Sequence, residues 1–138
     1  ELLSSIRREM SMAMVLISHD LGVVAENCDR VAVMYAGRII EEAPANQLFA
    51  DPVHPYAQGL IGALPPLDGP RRRLTAIPGT VPDPANMPDG CAFAPRCTLA
   101  AEPCGLAALS LAPITNDRAV ACIRAEASRR ALLGIAAE

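Results

Sequence analysis

Proline is distributed unevenly along this chain of 138 residues, and the distribution limits where regular structure can form. Eight of the thirteen prolines lie between Pro65 and Pro95, a stretch that also contains Gly69, Gly79 and Gly90. Proline has no amide hydrogen to donate, so we predict that this stretch runs as extended polyproline-like chain and turns. Regular elements are expected on either side of it.

Before the proline-rich stretch, a continuous apolar run over residues 14–17 ends abruptly in Ser18, His19 and Asp20. Such a run is typical of a strand that is buried on both faces of a parallel sheet. We therefore predict a strand over residues 13–18, with His19 just past its carboxyl end, where open α/β sheets bind ligands. A histidine there can hydrogen-bond a phosphate, although a polar residue in this position more often only begins a loop.

Periodicity and turn signals predict the remaining elements. Asp20 is expected to cap a short helix, Ala36 and Gly37 to form the turn of a hairpin, and Pro55 to open another helix. The predicted helices cover residues 1–12, 21–27, 44–50, 55–64 and 125–135, and the further strands cover residues 30–35, 38–42 and 119–123.

Charge and hydropathy exclude several classes of protein. The net charge of −3 gives no basic footprint for nucleic acid. The cluster over residues 71–73 consists of three arginines in the proline-rich stretch, and we interpret it as a solvated linker. No apolar run reaches the roughly 18 residues of a membrane span, and the first residues do not have the layout of a signal peptide.

Four of the five cysteines lie late in the chain, separated by five, six and seventeen residues: Cys91, Cys97, Cys104 and Cys122. They fit three interpretations. Thiolates are soft ligands that suit zinc or an iron–sulfur cluster, although the spacing lacks the paired C-x₂-C pattern of many such sites. Two disulfides are the second interpretation, but these are rare in reducing compartments. Buried free thiols are the third, and we prefer that one only for Cys28.

Several segments resemble one family. Residues 17–42, with Ser-His-Asp-Leu-Gly and Asp-Arg-Val-Ala-Val-Met-Tyr-Ala-Gly-Arg, closely resemble the end of an ABC-transporter ATP-binding subunit. His-Pro-Tyr at 54–56, Ile-Pro-Gly-Thr-Val-Pro at 77–82 and Gly-Cys-Ala-Phe-Ala-Pro-Arg-Cys at 90–97 resemble the C-terminal extension of oligopeptide and dipeptide importer ATPases. The chain is similar to the C-terminal part of a subunit of this peptide/nickel importer family.

The resemblance implies an α/β fold. Residues 1–50 would form the C-terminal piece of a P-loop nucleotide-binding domain. Residues 51–138 would form a small, loop-rich, cysteine-bound extension.

The resemblance also implies an activity for the intact subunit: hydrolysis of ATP, with Mg²⁺, to power import of oligopeptides, dipeptides or nickel chelates. His19 would contact the γ-phosphate and help position the attacking water. The sequence contains no G-x-x-x-x-G-K-S/T loop, no ABC signature and no acidic magnesium-binding strand end. We therefore expect a fragment that hydrolyses no ATP by itself.

For the cysteines, the resemblance implies a 4Fe–4S cluster on Cys91, Cys97, Cys104 and Cys122, with a zinc ion as the alternative. We expect a structural or regulatory role for this centre. Between the ligands, Phe93 is expected to shield the site, and Arg96 either to offset thiolate charge or to lie on the surface. His54 is given no catalytic role and is expected to be a capping or surface residue.

The implied partners are a second ATPase subunit or domain, transmembrane permease subunits and, indirectly, an extracytoplasmic peptide-binding protein. These would place the subunit peripherally on the cytoplasmic face of the cell membrane. An alternative from a different class is a stand-alone metal- or redox-sensing interaction module, holding zinc or an iron–sulfur centre, in which the first fifty residues are scaffold.

Overall fold

A computed structural model describes residues 2–64, 76–106 and 109–134. Within those ranges the chain is a mixed α/β fold whose strands form one four-stranded antiparallel sheet. The helices are α1 (Leu2–Glu9), α2 (Leu21–Asn27), α3 (Ala45–Ala50), α4 (Pro55–Gly62) and α5 (Ala125–Leu132). The strands are β1 (Arg30–Tyr35), β2 (Arg38–Pro44), β3 (Ala112–Pro113) and β4 (Ala119–Val120).

The sheet joins parts of the chain that are far apart in sequence. Its strand order is β1-β2-β4-β3. Strands β1 and β2 form a hairpin through Ala36 and Gly37, whose φ angles of 47° and 78° are those of a hairpin turn with two left-handed residues. On the other edge of β2, Glu41 pairs with Val120 of β4. Strands from both sides of the proline-rich stretch therefore share one sheet.

A β-bulge in the hairpin changes which side chains of β2 are buried. Val33 pairs with Glu41, whereas Met34 pairs with Ile39, so Ile40 has no residue opposite it. The extra residue breaks the alternation of the strand. As a result Ile40 and Glu41, which are neighbours in sequence, are both buried.

The core lies on one side of the hairpin and takes residues from five segments. Its buried members are Val33, Tyr35, Ile40, Ala43, Leu48, Ala57 and Phe93. Burial of a side chain such as Leu48 contributes about 1.5–3 kcal/mol. Because Phe93 comes from the segment that carries the cysteines, that segment is packed into the core.

The strand predicted over residues 13–18 is not part of the sheet. These residues pair with none of the four described strands, and Val15 and Ile17 are 91% and 94% exposed. An apolar run becomes a buried strand only when neighbouring strands pair with its backbone and other elements cover its faces. The described residues supply neither, so the prediction of a buried parallel strand is wrong for this structure.

Most other predicted elements are found with shifted ends. Strand β1 and helix α2 have the predicted bounds, and β2 runs two residues further than predicted. The helices α1, α3, α4 and α5 are all shorter than predicted, and the strand predicted over residues 119–123 is reduced to β4. The arginine cluster at 71–73 lies outside the described residues. In the part of the chain that the structure covers, no helix has the length and apolar character needed to cross a bilayer.

Candidate functional site

The first two late cysteines lie at the ends of one hydrogen-bonded turn. Ala94 donates from its amide to the carbonyl of Cys91 at 2.9 Å, and Cys97 donates to Ala94 at 3.2 Å. Between these bonds, the backbone amide of Arg96 donates to the carbonyl of Phe93 at 2.9 Å, within a 3₁₀ turn over Ala94–Arg96. These bonds hold residues 91–97 as a compact unit, which we call the cysteine turn.

Cys104 is brought to the start of the cysteine turn by a backbone contact. The amide of Cys91 donates to the carbonyl of Cys104 at 2.8 Å. The approach requires glycine at position 90, since a Cβ there would lie 2.2 Å from the Cys104 carbonyl oxygen. Cys104 is buried, whereas Cys91 is partly exposed.

Cys122 reaches the same region from the sheet. The amide of Ala121 donates to Ile40 of β2 at 2.8 Å, and this bond fixes the end of β4 just before the cysteine. Burial raises the pKa of the Cys122 thiol to about 11, a backbone hydrogen bond from Arg124 opposes the rise, and the neighbouring thiols add to it. Burial likewise raises the pKa of Cys97, with smaller contributions from Cys91 and Cys104. The four late cysteines are therefore close enough to influence one another's ionisation.

This neighbourhood does not amount to a ligand cage. All five cysteines are free thiols. Among residues 2–64, 76–106 and 109–134, no group of three or more histidine, cysteine, aspartate or glutamate side chains is arranged to hold a metal ion. Burial favours the protonated thiol, which lacks the negative charge that draws ligands around a cation. The four predicted ligands, Cys91, Cys97, Cys104 and Cys122, have the donor chemistry that suits a soft metal. In the described structure, however, their side chains are not arranged around one ion.

Phe93 has a wider role than the predicted shield. It is buried and touches three other rings, with centroid distances of 5.3 Å to Tyr35, 5.5 Å to Tyr56 and 5.9 Å to His54. We call these four residues the aromatic cluster. Aromatic pairs in such tilted arrangements stabilise a core beyond simple burial. The cluster joins the hairpin, helix α4 and the cysteine turn.

Arg96 fits neither alternative predicted for it. It is partly buried, and its guanidinium donates to the carbonyls of Pro78 at 2.6 Å and Ile77 at 3.1 Å, and to the hydroxyl of Tyr35 at 3.2 Å. The same group lies 5.9 Å from the ring centroids of Tyr35 and Phe93. Its donors are therefore directed at the backbone and at a phenol rather than at the thiols.

The junction between β2 and α4 is organised by a buried carboxylate that the sequence did not reveal. Glu41 is fully buried and accepts from the amides of Val53 at 3.0 Å and His54 at 2.7 Å. It also accepts from the guanidinium of Arg118 at 2.6 Å. Arg118 is itself only 6% exposed. Arg118 further donates to the carbonyl of Asp51. We call this group the buried junction.

The buried junction escaped prediction because two signals were missing. The bulge that turns Glu41 inward cannot be read from residue types, and alternation alone would not place both it and Ile40 inside. Its partner Arg118 lies far along the chain, in a turn with no motif. An acidic residue within an apolar strand was the one available signal.

His54 has the capping role expected of it, in a buried setting. It is 1% exposed, and its Nδ1 accepts from the amide of Tyr56 at 3.1 Å in the first turn of α4. Burial lowers the pKa of His54 from 6.5 to about 4. The neutral ring is the form that can accept at Nδ1, so the cap and the low pKa support one another.

His19 lies apart in a differently built segment. It is exposed, between the extended apolar run and α2. Asp20 caps α2 as predicted, because its Oδ1 accepts from Gly22 at 3.0 Å and Val23 at 3.2 Å. An ion pair of 2.8 Å between Arg7 and Asp29 joins the two ends of the segment that contains His19. The nucleotide-contacting role of His19 stays a prediction.

Comparisons with known proteins match the chain over nearly its whole length. The family model described as oligopeptide/dipeptide transporter, C-terminal region, matches residues 40–104. A putative peptide import ATP-binding protein of Brucella melitensis is 48% identical over 122 residues, which are 88% of this chain and 36% of that protein. The oligopeptide transport ATP-binding protein AppD of Bacillus subtilis is 44% identical over 122 residues, which are 88% of this chain and 37% of that protein.

A third relative, a probable peptide ABC transporter ATP-binding protein of Sinorhizobium fredii, is 50% identical over 129 residues, which are 92% of this chain and 36% of that protein. The chain thus spans little more than a third of the length of these curated relatives. The family match includes most of the hairpin strand β2, the His-Pro-Tyr segment and three of the late cysteines. On these grounds the chain belongs to the oligopeptide/dipeptide family of ABC-transporter ATP-binding proteins, and it corresponds to the C-terminal part of such a subunit.

Proposed function

We propose that this chain is the C-terminal part of an ATP-hydrolysing subunit that powers peptide import. The observation that carries the proposal is the 48% identity to a peptide import ATP-binding protein across 88% of the chain. Residues 1–50 then complete a nucleotide-binding domain, and residues 51–138 form its extension. The substrates are oligopeptides, dipeptides or nickel chelates, and other subunits supply most of the selectivity.

In the intact subunit, His19 contacts the γ-phosphate of an ATP–Mg²⁺ complex. Its imidazole is exposed and directly precedes Asp20, the N-cap of α2, so it is accessible to a ligand held by other parts of the subunit. An imidazole N–H donates to a phosphate oxygen and orients the attacking water. The chain lacks the glycine-rich phosphate loop, so residues 1–138 by themselves neither hold nor hydrolyse ATP.

The late cysteines form the second part of the proposal. Cys91, Cys97, Cys104 and Cys122 are the residues that would hold a 4Fe–4S cluster, with a single zinc ion as the alternative. Such a group would cross-link three chain segments, namely the cysteine turn and the segments of Cys104 and Cys122, and in the case of iron would also supply one-electron redox chemistry. Because burial raises the pKa of Cys97 and Cys122, these thiols must lose protons on binding, and affinity falls as the pH is lowered.

The proposed partners follow from the importer assignment. They are a second ATPase subunit or domain, which completes the nucleotide site, and transmembrane permease subunits. An extracytoplasmic peptide-binding protein acts indirectly through the permease. The subunit then lies on the cytoplasmic face of the membrane, bound through its partners.

The activity is tested in the intact subunit with His19→Ala. Removal of the imidazole should lower kcat for ATP hydrolysis about 100-fold or more while ATP binding is retained. The matched control is Glu26→Gln, which changes an exposed side chain on the adjacent α2 and should leave kcat unchanged. A wild-type kcat in the His19 variant would overturn the assigned role.

The metal proposal has its own test. The chain is purified without oxygen, and iron, sulfide and zinc are measured per chain together with the visible absorption spectrum. About four irons with a broad visible band would support the cluster, and one zinc without iron would support the structural alternative. Absence of both metals after reconstitution with iron and sulfide, or with zinc, would exclude both forms of the centre.

A further inference from the structure

Arg96 connects three segments that are separate in sequence. It belongs to the cysteine turn, donates to the carbonyls of Ile77 and Pro78, and donates to the hydroxyl of Tyr35 at the end of β1. Its guanidinium lies over the rings of both Tyr35 and Phe93. Arg96 therefore joins the hairpin, the cysteine turn and residues 77–78 of the proline-rich stretch.

The link between Arg96 and the cysteines is short and stiff. Three consecutive turn bonds, Ala94 to Cys91, Arg96 to Phe93 and Cys97 to Ala94, leave little freedom between the thiols and the guanidinium. Arg96 directly precedes Cys97. A change that displaces Cys97 must therefore either break the cysteine turn or move Arg96 with it.

The surroundings leave little room to absorb such a movement. Gly79 adopts φ of +73°, and a Cβ there would lie 3.3 Å from Cγ of Arg96. Tyr35 is itself 4% exposed. A shift of Arg96 therefore changes its bond to Tyr35 rather than being lost in free space.

We propose that Arg96 is a positioning residue that couples the state of the cysteine turn to the β1–β2 hairpin through Tyr35. Any ligation or covalent modification that displaces Cys97 alters the hydrogen bond between Arg96 and the Tyr35 hydroxyl. Coupling is reciprocal, so loss of that bond also changes the accessibility of the thiols. The proposal goes beyond the function proposed above, because it depends neither on ATP nor on which group the cysteines hold.

The first test uses Tyr35 as a spectroscopic reporter. The chain has two tyrosines and no tryptophan, so Tyr56→Phe leaves Tyr35 as the one source of aromatic emission near 300 nm. The full chain is treated with methyl methanethiosulfonate, which adds a methylthio group to accessible thiols. The emission of Tyr35 should change on modification, and Cys97→Ser should remove most of the change.

Arginine variants in the same background identify the residue that carries the coupling. Arg96→Met should abolish the response of Tyr35, and Arg96→Lys, which keeps a cation and a donor, should restore part of it. Arg38→Met is the matched control. This exposed arginine lies on the same hairpin and is the residue opposite Tyr35 in the pairing of β1 with β2. An unaltered response in the Arg96→Met variant would overturn the proposal, as would emission that is insensitive to modification.

The reciprocal test does not rely on a variant that could fail to fold. Tyr35→Phe removes one hydroxyl and keeps the ring in the aromatic cluster. The rate of methylthiolation at Cys97, followed by mass spectrometry, should rise about threefold to tenfold, as expected for loss of one hydrogen bond. Tyr56→Phe is the control, because the bond of Arg96 goes to Tyr35, and its rate should match wild type. Equal rates in the Tyr35→Phe variant and wild type would refute the coupling.

Discussion

The apolar run before His19 and the buried junction around Glu41 contrast in composition and in burial. The run consists of residues that prefer protein interiors, yet Val15 and Ile17 are almost fully exposed. The junction consists of a carboxylate, a guanidinium and backbone amides, yet Glu41 and Arg118 are buried. The difference is one of partners: in the described chain the carboxylate finds three donor groups, two backbone amides and one guanidinium, whereas the run finds no neighbouring strand.

The contrast teaches that burial of Glu41 and exposure of the apolar run follow the available hydrogen-bond partners more than hydropathy. A buried charge is tolerated where every lone pair is used. An apolar segment whose backbone has no ladder to join stays extended and open. The following changes test the two sides of this comparison, beginning with the largest expected effect.

Removal of the carboxylate should have the largest effect. Glu41→Ala leaves Arg118 buried without its partner and removes the acceptor for Val53 and His54. The free energy of unfolding should fall by about 3–5 kcal/mol, as for other broken buried pairs. Urea denaturation followed by circular dichroism measures this change.

The matched control is Glu42→Ala. Glu42 lies next to Glu41 on β2, and its removal breaks a partly exposed salt bridge to Arg30 of β1. That change should cost about 1 kcal/mol or less. A similar loss of unfolding free energy in the two variants would show that the buried carboxylate of Glu41 stabilises the fold no more than the partly exposed one of Glu42. The contrast between the junction and the apolar run would then lose its support.

Acid should weaken the junction through His54. The pKa in the folded chain is about 4, below the ordinary 6.5, so the unfolded chain takes up the proton first as the pH falls. The contribution of the neutral ring to the free energy of unfolding is fully present above pH 6.5 and is lost as the pH falls from 6.5 to 4. At pH 4 the loss amounts to about 3 kcal/mol. Protonation also removes the Nδ1 acceptor that caps α4.

The measurement is the urea midpoint at pH 7, 5.5 and 4. His54→Asn keeps a capping acceptor but does not titrate, so its midpoint should be lower at pH 7 and should fall less between pH 7 and pH 4. The same pH slope in the variant and wild type would assign the acid sensitivity to other groups.

A methyl group at position 90 tests how closely the cysteine segments are packed. In Gly90→Ala the new Cβ would lie 2.2 Å from the carbonyl oxygen of Cys104, so the backbone must shift. Overpacking of this kind costs about 1–3 kcal/mol, and the buried thiol of Cys104 should react faster with a thiol reagent. Gly105→Ala, where a Cβ meets nothing within 4 Å, is the control and should react at the wild-type rate.

The smallest effect is expected in the exposed run. Ile17→Thr changes a side chain that is 94% exposed, so the stability of this 138-residue chain should change by less than about 0.5 kcal/mol. Thermal unfolding measured alongside wild type tests this expectation. A loss above about 1 kcal/mol would mean that Ile17 packs against the chain in solution, and the contrast with the junction would disappear.

What could be predicted from the sequence was mostly local. The Asp20 cap, the Ala36–Gly37 turn and the start of α4 at Pro55 all depend on residues within one turn of each other, and all are found. The family resemblance, carried by motifs such as His-Pro-Tyr, is supported by the matched region.

The rest depends on contacts that residue types do not encode. Pairing of β2 with β4, the bulge that buries Glu41 and the turn of Arg96 towards Tyr35 each require the folded chain. The gathering of four thiols was predicted as a metal centre, whereas in the described residues the structure gives free cysteines that are not arranged around a metal ion.

The pairing of β2 with β4 also sets an order of events during synthesis. About 80 residues separate Glu41 from Val120, so the edge of β2 stays unpaired until the late strand has been made. At about 5–20 residues per second, that interval is roughly 4–16 s. During it the hairpin offers an open strand edge, and Glu41, the carboxylate that later accepts from Arg118, is a charge on that edge that disfavours association with other nascent chains.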